Sequence, residues 1–304
     1  MSKIFFFLLS SLSLNAFAQT AGADTNLVIV VTTANWAPDG RSLLVKIVRF
    51  DKTGRSPFVA KSFSLDINSR ELQPMFEGGS GLAQSPDGKT IVFCRQNGKN
   101  KGDLYLYDVT TKLQTALAID TFHKFAPGWS PDGKQIVYNR ESNGRGRYAT
   151  IEMCVVDVKT KQVKQITRSG NYKSYNPEWA PEGDKIVYYL EKGDGHDQIW
   201  LTDSKGSFHT NLTNDTTTHN YYPSWIDKNT IVYTLNPGTI MTMNIDGSHK
   251  QKVEGLHTFL IKYCPATKQA VYITEQPDNK LVLYDWQKKT SGVLLDKEIL
   301  NKLF

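Results

Sequence analysis

The chain has 304 residues, is 39% hydrophobic and 22% charged, and carries a formal net charge of +6. This composition belongs to a soluble globular protein and excludes the disordered and membrane-embedded classes. The basic excess is mild and spread along the chain, which argues against a nucleic-acid partner.

Residues 1–18 read as an export signal. Lys3 supplies the positive start, Ile4-Phe5-Phe6-Phe7-Leu8-Leu9 opens an apolar run, and Ala16-Phe17-Ala18 offers a small-x-small cleavage site before Gln19. The run is short for a membrane span, and no later stretch is apolar for long enough to make one. No cysteine follows the cleavage position, so a lipid anchor is not expected. Cleavage leaves 35 basic against 30 acidic residues, a net charge of about +5. The expected mature domain is 19–304, periplasmic or secreted.

One turn then recurs. Trp36-Ala37-Pro38-Asp39-Gly40, Gln84-Ser85-Pro86-Asp87-Gly88, Trp129-Ser130-Pro131-Asp132-Gly133 and Trp179-Ala180-Pro181-Glu182-Gly183 are the four strong copies. Trp225-Ile226-Asp227-Lys228-Asn229 has lost the Pro and Gly, and Tyr263-Cys264-Pro265-Ala266-Thr267 keeps the aromatic and the Pro. Anchors at 36, 84, 129, 179, 225 and 263 are separated by 48, 45, 50, 46 and 38 residues. Pro presets φ at the second turn position, Asp favours the third, and Gly tolerates the left-handed conformation that closes a hairpin.

Each turn precedes a β-rich apolar run, such as Thr90-Ile91-Val92-Phe93, Gln135-Ile136-Val137-Tyr138 or Lys185-Ile186-Val187-Tyr188. A third strand follows at a similar offset, as in Leu104-Tyr105-Leu106-Tyr107-Asp108, and a short fourth, as in Gln165-Ile166-Thr167 and Asn211-Leu212-Thr213. Four antiparallel strands per repeat, six times over, predict an all-β fold: a six-bladed β-propeller of four-stranded antiparallel blades, in one domain. A two-sheet sandwich needs about half as many strands and does not explain one turn recurring in phase. Leu27-Val28-Ile29-Val30-Val31 is left over. It either pairs with the last blade to close the ring, the preferred reading, or leads into the first inner strand. Cys94, Cys154 and Cys264 show neither metal nor CxxC spacing; Cys94 and Cys154 read as buried free thiols, with a single unassigned disulfide in an oxidising compartment as the alternative.

The Trp-Ser-Pro-Asp-Gly-Lys-x-Ile-Val-Tyr pattern at 129–138, and Gln198-Ile199-Trp200-Leu201-Thr202-Asp203 followed by Asn211-Leu212-Thr213, resemble the TolB-type propeller repeat. The resemblance covers nearly all of the mature chain. It implies the fold strongly and, by analogy, a role in holding a partner in the cell envelope. The TolB α/β domain that precedes the blades is not expected here. Prolyl oligopeptidase-like enzymes pair a similar propeller with a hydrolase domain, but this sequence has no Gly-x-Ser-x-Gly.

Function in a propeller sits where inner strands converge. Six places before the anchors lie His123, Lys173, His219 and His257, and four places before them lie Phe125, Tyr175, Tyr221 and Phe259. Lys124, Asn176, Asn220 and Tyr222 are adjacent. One shared register predicts a ring of aromatics and cations around a channel mouth, suited to a peptide, an acidic group or a carbohydrate. Structural packing of the same residues between blades is the competing reading. Pro127, Pro177 and Pro223 follow in phase and fix the loop. Three histidines, His123, His219 and His257, also allow a metal site of the kind that the resemblance to oligogalacturonate lyases implies. The expected function is a non-catalytic scaffold, without cofactor or catalytic residue, binding a protein or peptide at the channel face as a monomer. The alternative is a glycan binder or metal-assisted polyuronate lyase.

Overall fold

The recurring turn owes its shape to its own side chains. Ser130 Oγ donates to Asp132 Oδ1 at 2.7 Å and accepts the Gln135 N–H at 2.9 Å. Gly133 closes the turn with its N–H on Ser130 O at 3.0 Å and a φ of +70°, where a Cβ would be strained. Ser85, Asp87 and Gly88 repeat the arrangement. At the opposite end of the hairpins, Asp108 and Asp157 each accept two hydrogen bonds or more from the residues that follow, which fixes the turn into the fourth strand.

The computed structural model describes residues 27–53, 58–96, 101–142, 149–168, 170, 172–191, 196–275 and 278–303. The export signal at 1–18 lies outside the described residues. The strands come in consecutive fours. The first sheet holds β1 (Leu27–Trp36), β2 (Ser42–Asp51), β3 (Val59–Asp66) and β4 (Leu72–Glu77). The next holds β5 (Ser80–Gln84), β6 (Thr90–Gln96), β7 (Gly102–Asp108) and β8 (Gln114–Ala118). Then come β9 (His123–Trp129), β10 (Gln135–Ser142), β11 (Thr150–Asp157) and β12 (Val163–Gln165). They share one eight-stranded sheet with β13 (Lys173–Trp179), β14 (Lys185–Glu191), β15 (Gln198–Asp203) and β16 (His209–Asn211). Within each half the strands are antiparallel, and a single parallel pair, Ile151 with Lys173, joins the halves. The last two sheets are β17 (Asn220–Trp225) to β20 (Gln251–His257) through β18 (Thr230–Leu235) and β19 (Thr239–Asn244), and β21 (Ile261–Cys264) to β24 (Thr290–Leu295) through β22 (Gln269–Ile273) and β23 (Leu281–Asp285). A short helix, α1 (Lys297–Leu300), follows.

The first strand of each four touches the first strand of the next, and β1 touches β21, so the inner strands form a closed ring. This is a propeller of four-stranded antiparallel blades. The anchor tryptophans bind the ring together. Trp129 Nε1 donates to Ala83 O at 3.0 Å, and Trp225 Nε1 donates to Glu178 O at 3.1 Å. Each acceptor lies one residue before the neighbouring anchor. Trp36 Nε1 reaches Lys262 O at 2.8 Å in the same relation, across the seam between the first and last sheets. The buried Trp179 indole is the exception, with no partner among the described residues.

Ring closure differs from the preferred expectation. Residues 27–31 are not an extra strand on the last sheet; they begin β1 and pair with β2. The last sheet has four strands of its own. The seam is held by side chains. Asn279 brackets Val31, and Val31, Val45 and Ile47 share a core with Val271, Leu281, Leu295 and Leu300. Each such buried aliphatic side chain contributes about 2 kcal/mol relative to exposure.

The short fourth strands are latched by threonine. Thr167 Oγ1 accepts the Met153 N–H at 2.8 Å and donates to Glu152 Oε2 at 2.5 Å. Thr213 does the same with the Ile199 N–H at 3.0 Å and Gln198 Oε1 at 2.7 Å. The Ile-Thr and Leu-Thr endings therefore satisfy polar groups that burial would otherwise orphan. All three cysteines are free and buried.

Candidate functional site: the rim where the inner strands begin

Three residues before each middle anchor the inner strand leaves β geometry. Gly81, Ala126, Asn176 and Tyr222 have φ of +62°, +49°, +49° and +48°. Register breaks on β5, β9, β13 and β17 fall at the same place. A bulge of this kind re-aims the side chains beside it. Glycine takes the conformation freely and asparagine tolerates it. For Tyr222 it costs about 1–2 kcal/mol, which the surrounding contacts must offset. Asn139, wholly buried on β10, supports the β13 bulge: its Oδ1 accepts the Asn176 N–H at 2.9 Å and its Nδ2 donates to Ser174 O at 2.9 Å.

The re-aimed rings meet across β9, β13 and β17. His123 stacks on Phe125 at 5.6 Å between centroids, and Phe125 lies 6.4 Å from Tyr175. Tyr175 lies 5.2 Å from Tyr189 on β14, whose ring meets Tyr221 edge-on at 5.7 Å and Tyr222 at 5.6 Å. Tyr221 stacks on His219 at 5.7 Å and 6°, and His219 stacks on His196 at 5.7 Å and 20°. The result is one unbroken aromatic wall.

Carboxylates stand along it. Asp197 is 4% exposed, and its Oδ2 lies 2.9 Å from His219 Nδ1. Its other oxygen, Oδ1, is buried with no partner among the described residues. Glu191 pairs across the ladder with Lys173, whose Nζ is 3.9 Å away. Glu141 occupies the equivalent place opposite His123, and burial raises its carboxyl above the usual range, against the opposing pull of Lys173 and Lys101. Burial, reinforced by Glu191 at Tyr175 and by Asp197 at Tyr221, pushes both phenols well above their ordinary value. Tyr189 is shifted the same way, by burial first and then Tyr222.

His123 Nδ1 accepts the Gly102 N–H at 2.7 Å, which places its proton on Nε2. That Nε2 is buried and lacks a partner among the described residues. Burial, with Lys124 next, lowers the affinity of His123 for a second proton. Gly102 is required here, since a Cβ would meet Lys124 O at 2.5 Å and the His123 ring at 3.1 Å. Lys124 itself is fully buried and held by Asp103 at 3.2 Å and Asp120 at 2.7 Å.

His123, Phe125, Lys173, Tyr175, Asn176, His219, Tyr221 and Tyr222 thus occur together at one rim. His257 and Phe259 do not share their register. β21 begins only at Ile261, and exposed His257 ends β20, the fourth strand of its sheet, opposite Thr239. The Phe259 carbonyl accepts a hydrogen bond from Thr234 Oγ1 at 2.7 Å, an inter-sheet tie. Among the described residues no group of three or more His, Cys, Asp or Glu could hold a metal ion. Sequence reasoning missed Tyr189, Glu141 and Glu191, which lie just past the apolar runs that it read on the second strands. His196 and Asp197, on the run into β15, lie against His219.

No protein-family model matches the chain. Solved structures do match. TolB from Acinetobacter baumannii superposes with a TM-score of 0.62 at 16% identity, over 88% of this chain and 79% of that one. The fold is a TolB-like β-propeller. The chain is also similar to an oligogalacturonate lyase in complex with manganese, with a TM-score of 0.65 at 14% identity over 88% of this chain and 77% of that one. The β-propeller domain of the Trilobed protease from Pyrococcus furiosus, described as having an open velcro topology, matches with a TM-score of 0.61 at 12% identity over 93% and 100%. At these identities the likeness shows the fold alone, and function must be read from the site.

Proposed function

We propose that the chain is an exported, non-catalytic binding scaffold that takes a protein or peptide partner on the aromatic rim. The eight-stranded sheet counts as two blades in this reading, since a single parallel pair joins its halves, which makes six blades and the single mature domain 19–304. The observation that carries the reading is the unbroken ring contact from His123 to His219, contributed by three neighbouring inner strands and bridged by Tyr189 on β14. Rigid amphipathic rings give large contact area at little conformational cost, which suits recognition of another chain. The export signal directs this surface to a periplasmic or extracellular partner. No helix among the described residues is long and apolar enough to cross a membrane.

A pull-down from envelope extract tests this, comparing the native chain with the double variant Tyr175→Ala, Tyr221→Ala. The expected result is a partner retained by the native chain and lost by the variant. Capture of the same proteins by both would remove the rim from consideration.

A glycan at the same rim is the second reading. The near-parallel His196, His219 and Tyr221 rings favour it, since such a ladder offers a flat face to a sugar. Its lyase form requires stoichiometric metal in the purified protein and cleavage of a polyuronate, and failure of both assays would eliminate that form.

A further inference from the structure

Among the described residues, carboxylates outnumber lysines along the rim of a basic protein. The whole chain carries +6. Along the aromatic wall the described carboxylates are Glu141, Glu191 and Asp197, and beside the imidazoles of His123, His196 and His219 the one described lysine is Lys173, which lies close to Glu191. Lys101, just before β7, acts on Glu141, and its Nζ donates to Thr121 O. Lys124 is spent on Asp103 and Asp120. The tyrosine faces add the negative side of their ring quadrupoles, which attracts cations.

Two polar atoms are left over, one near each end of the wall. Asp197 Oδ1 is a buried acceptor with no partner in hydrogen-bond geometry among the described residues, in a residue more than nine-tenths buried whose carboxylate also acts on the Tyr221 hydroxyl. His123 Nε2 is a buried donor without an acceptor. An orphaned buried group is unfavourable until something satisfies it. A ligand suited to Asp197 therefore brings N–H groups and positive charge, and one suited to His123 brings a carbonyl or hydroxyl oxygen. A lysine or arginine within a peptide supplies both kinds.

We propose that the rim selects a cationic side chain, Lys or Arg, from an extended partner segment. The ammonium or guanidinium donates to Asp197 Oδ1 beside the Tyr221 ring, and the His123 N–H serves a backbone carbonyl of the segment. This rests on the partner-binding reading above and deepens it. It also disfavours polyuronates as ligands, because their carboxylates would meet Glu141, Glu191 and Asp197.

Selection of phage-displayed random dodecapeptides on the full mature chain, with prior depletion on the Tyr175→Ala, Tyr221→Ala variant, tests the inference. Enriched peptides are then synthesised and titrated calorimetrically. The expected peptides share a Lys or Arg whose replacement by norleucine weakens binding about tenfold or more. Asp197→Asn should weaken binding by a similar factor. Glu141→Gln, which alters a half-buried carboxyl outside the His219 contact, should weaken it by about threefold, so the result does not depend on one variant folding. Thermal melts confirm that each variant is folded. Enriched peptides that are neutral or acidic, or that bind Asp197→Asn and Glu141→Gln as well as the native chain, overturn the cation inference and leave the rim reading standing. Peptides that bind the tyrosine double variant undiminished, or the absence of any enrichment over it, overturn both.

Discussion

Asn279 holds Val31 by both of its backbone polar groups, accepting the Val31 N–H on Oδ1 at 2.7 Å and donating from Nδ2 to Val31 O at 3.2 Å. The two residues are 248 positions apart in sequence, and this bracket fastens β1 to the last sheet. Asn139 treats the Ser174–Asn176 segment in the same way. Where the β1 register shifts near Val31, the strand exposes polar groups that β2 cannot reach, and an asparagine from the neighbouring sheet is the right shape to satisfy one donor and one acceptor.

Replacing Asn279 with Ala should cost about 1–3 kcal/mol, because two partly buried backbone groups lose their partner. Denaturant titration measures this. A midpoint indistinguishable from the native chain would mean that water replaces the amide at no cost.

The anchor tryptophans offer a comparison within one molecule. Trp36→Phe removes an indole N–H that donates to Lys262 O, whereas Trp179→Phe removes one with no partner among the described residues. The first should lose about 0.5–1.5 kcal/mol more than the second after allowance for the similar loss of ring area. Equal losses in chemical unfolding would show that the hydrogen bond across the seam contributes nothing.

Acid should unfold the protein through its turns. Backbone N–H groups hold Asp66, Asp108 and Asp157 below the usual carboxylate range, and the Thr218 and Thr217 contacts hold Asp215 at about 2. The folded pKa lies below the unfolded value of about 4, so the stabilisation is complete above about pH 4 to 5. It is lost as pH falls toward 2. Melting temperature should therefore be insensitive to these groups near neutrality and drop below pH 4, with a shallower drop in Asp215→Asn.

The thiols should be silent in the native state. Burial pushes Cys94 to about 12 and Cys154 to about 11, far from the range where thiolate is present at neutral pH. Ellman's reagent should titrate none of the three cysteines until denaturant is added. Rapid reaction of one thiol in buffer would reveal an opening at its sheet.

The repeat was legible because Pro, Asp and Gly each have a local reason to be where they are, and the turns at 85–88 and 130–133 follow from sequence alone. The seam was not. Its closure depends on Asn279 and Trp36 reaching backbone groups more than 200 residues away, for which no local pattern exists. The rim was half legible. Counting back from the anchors found His123, Tyr175 and Tyr221 because β9, β13 and β17 share a bulge. The same count failed at His257, where β20 runs on through a bulge of its own and leaves three residues, 258–260, before β21. Asp197 and Tyr189 escaped because their part in the wall comes from neighbouring strands rather than from their own spacing.

Side-chain closure has a consequence for how such a ring can change in length. Among the described residues every sheet is assembled from consecutive strands, and no strand is lent from one end of the chain to the other. A whole repeat can thus be gained or lost at the turn between two sheets without cutting any sheet in half. The Trp-to-carbonyl bond at the seam is the same joint that Trp129 and Trp225 make between neighbouring sheets, so a ring of a different size would need no new kind of fastening.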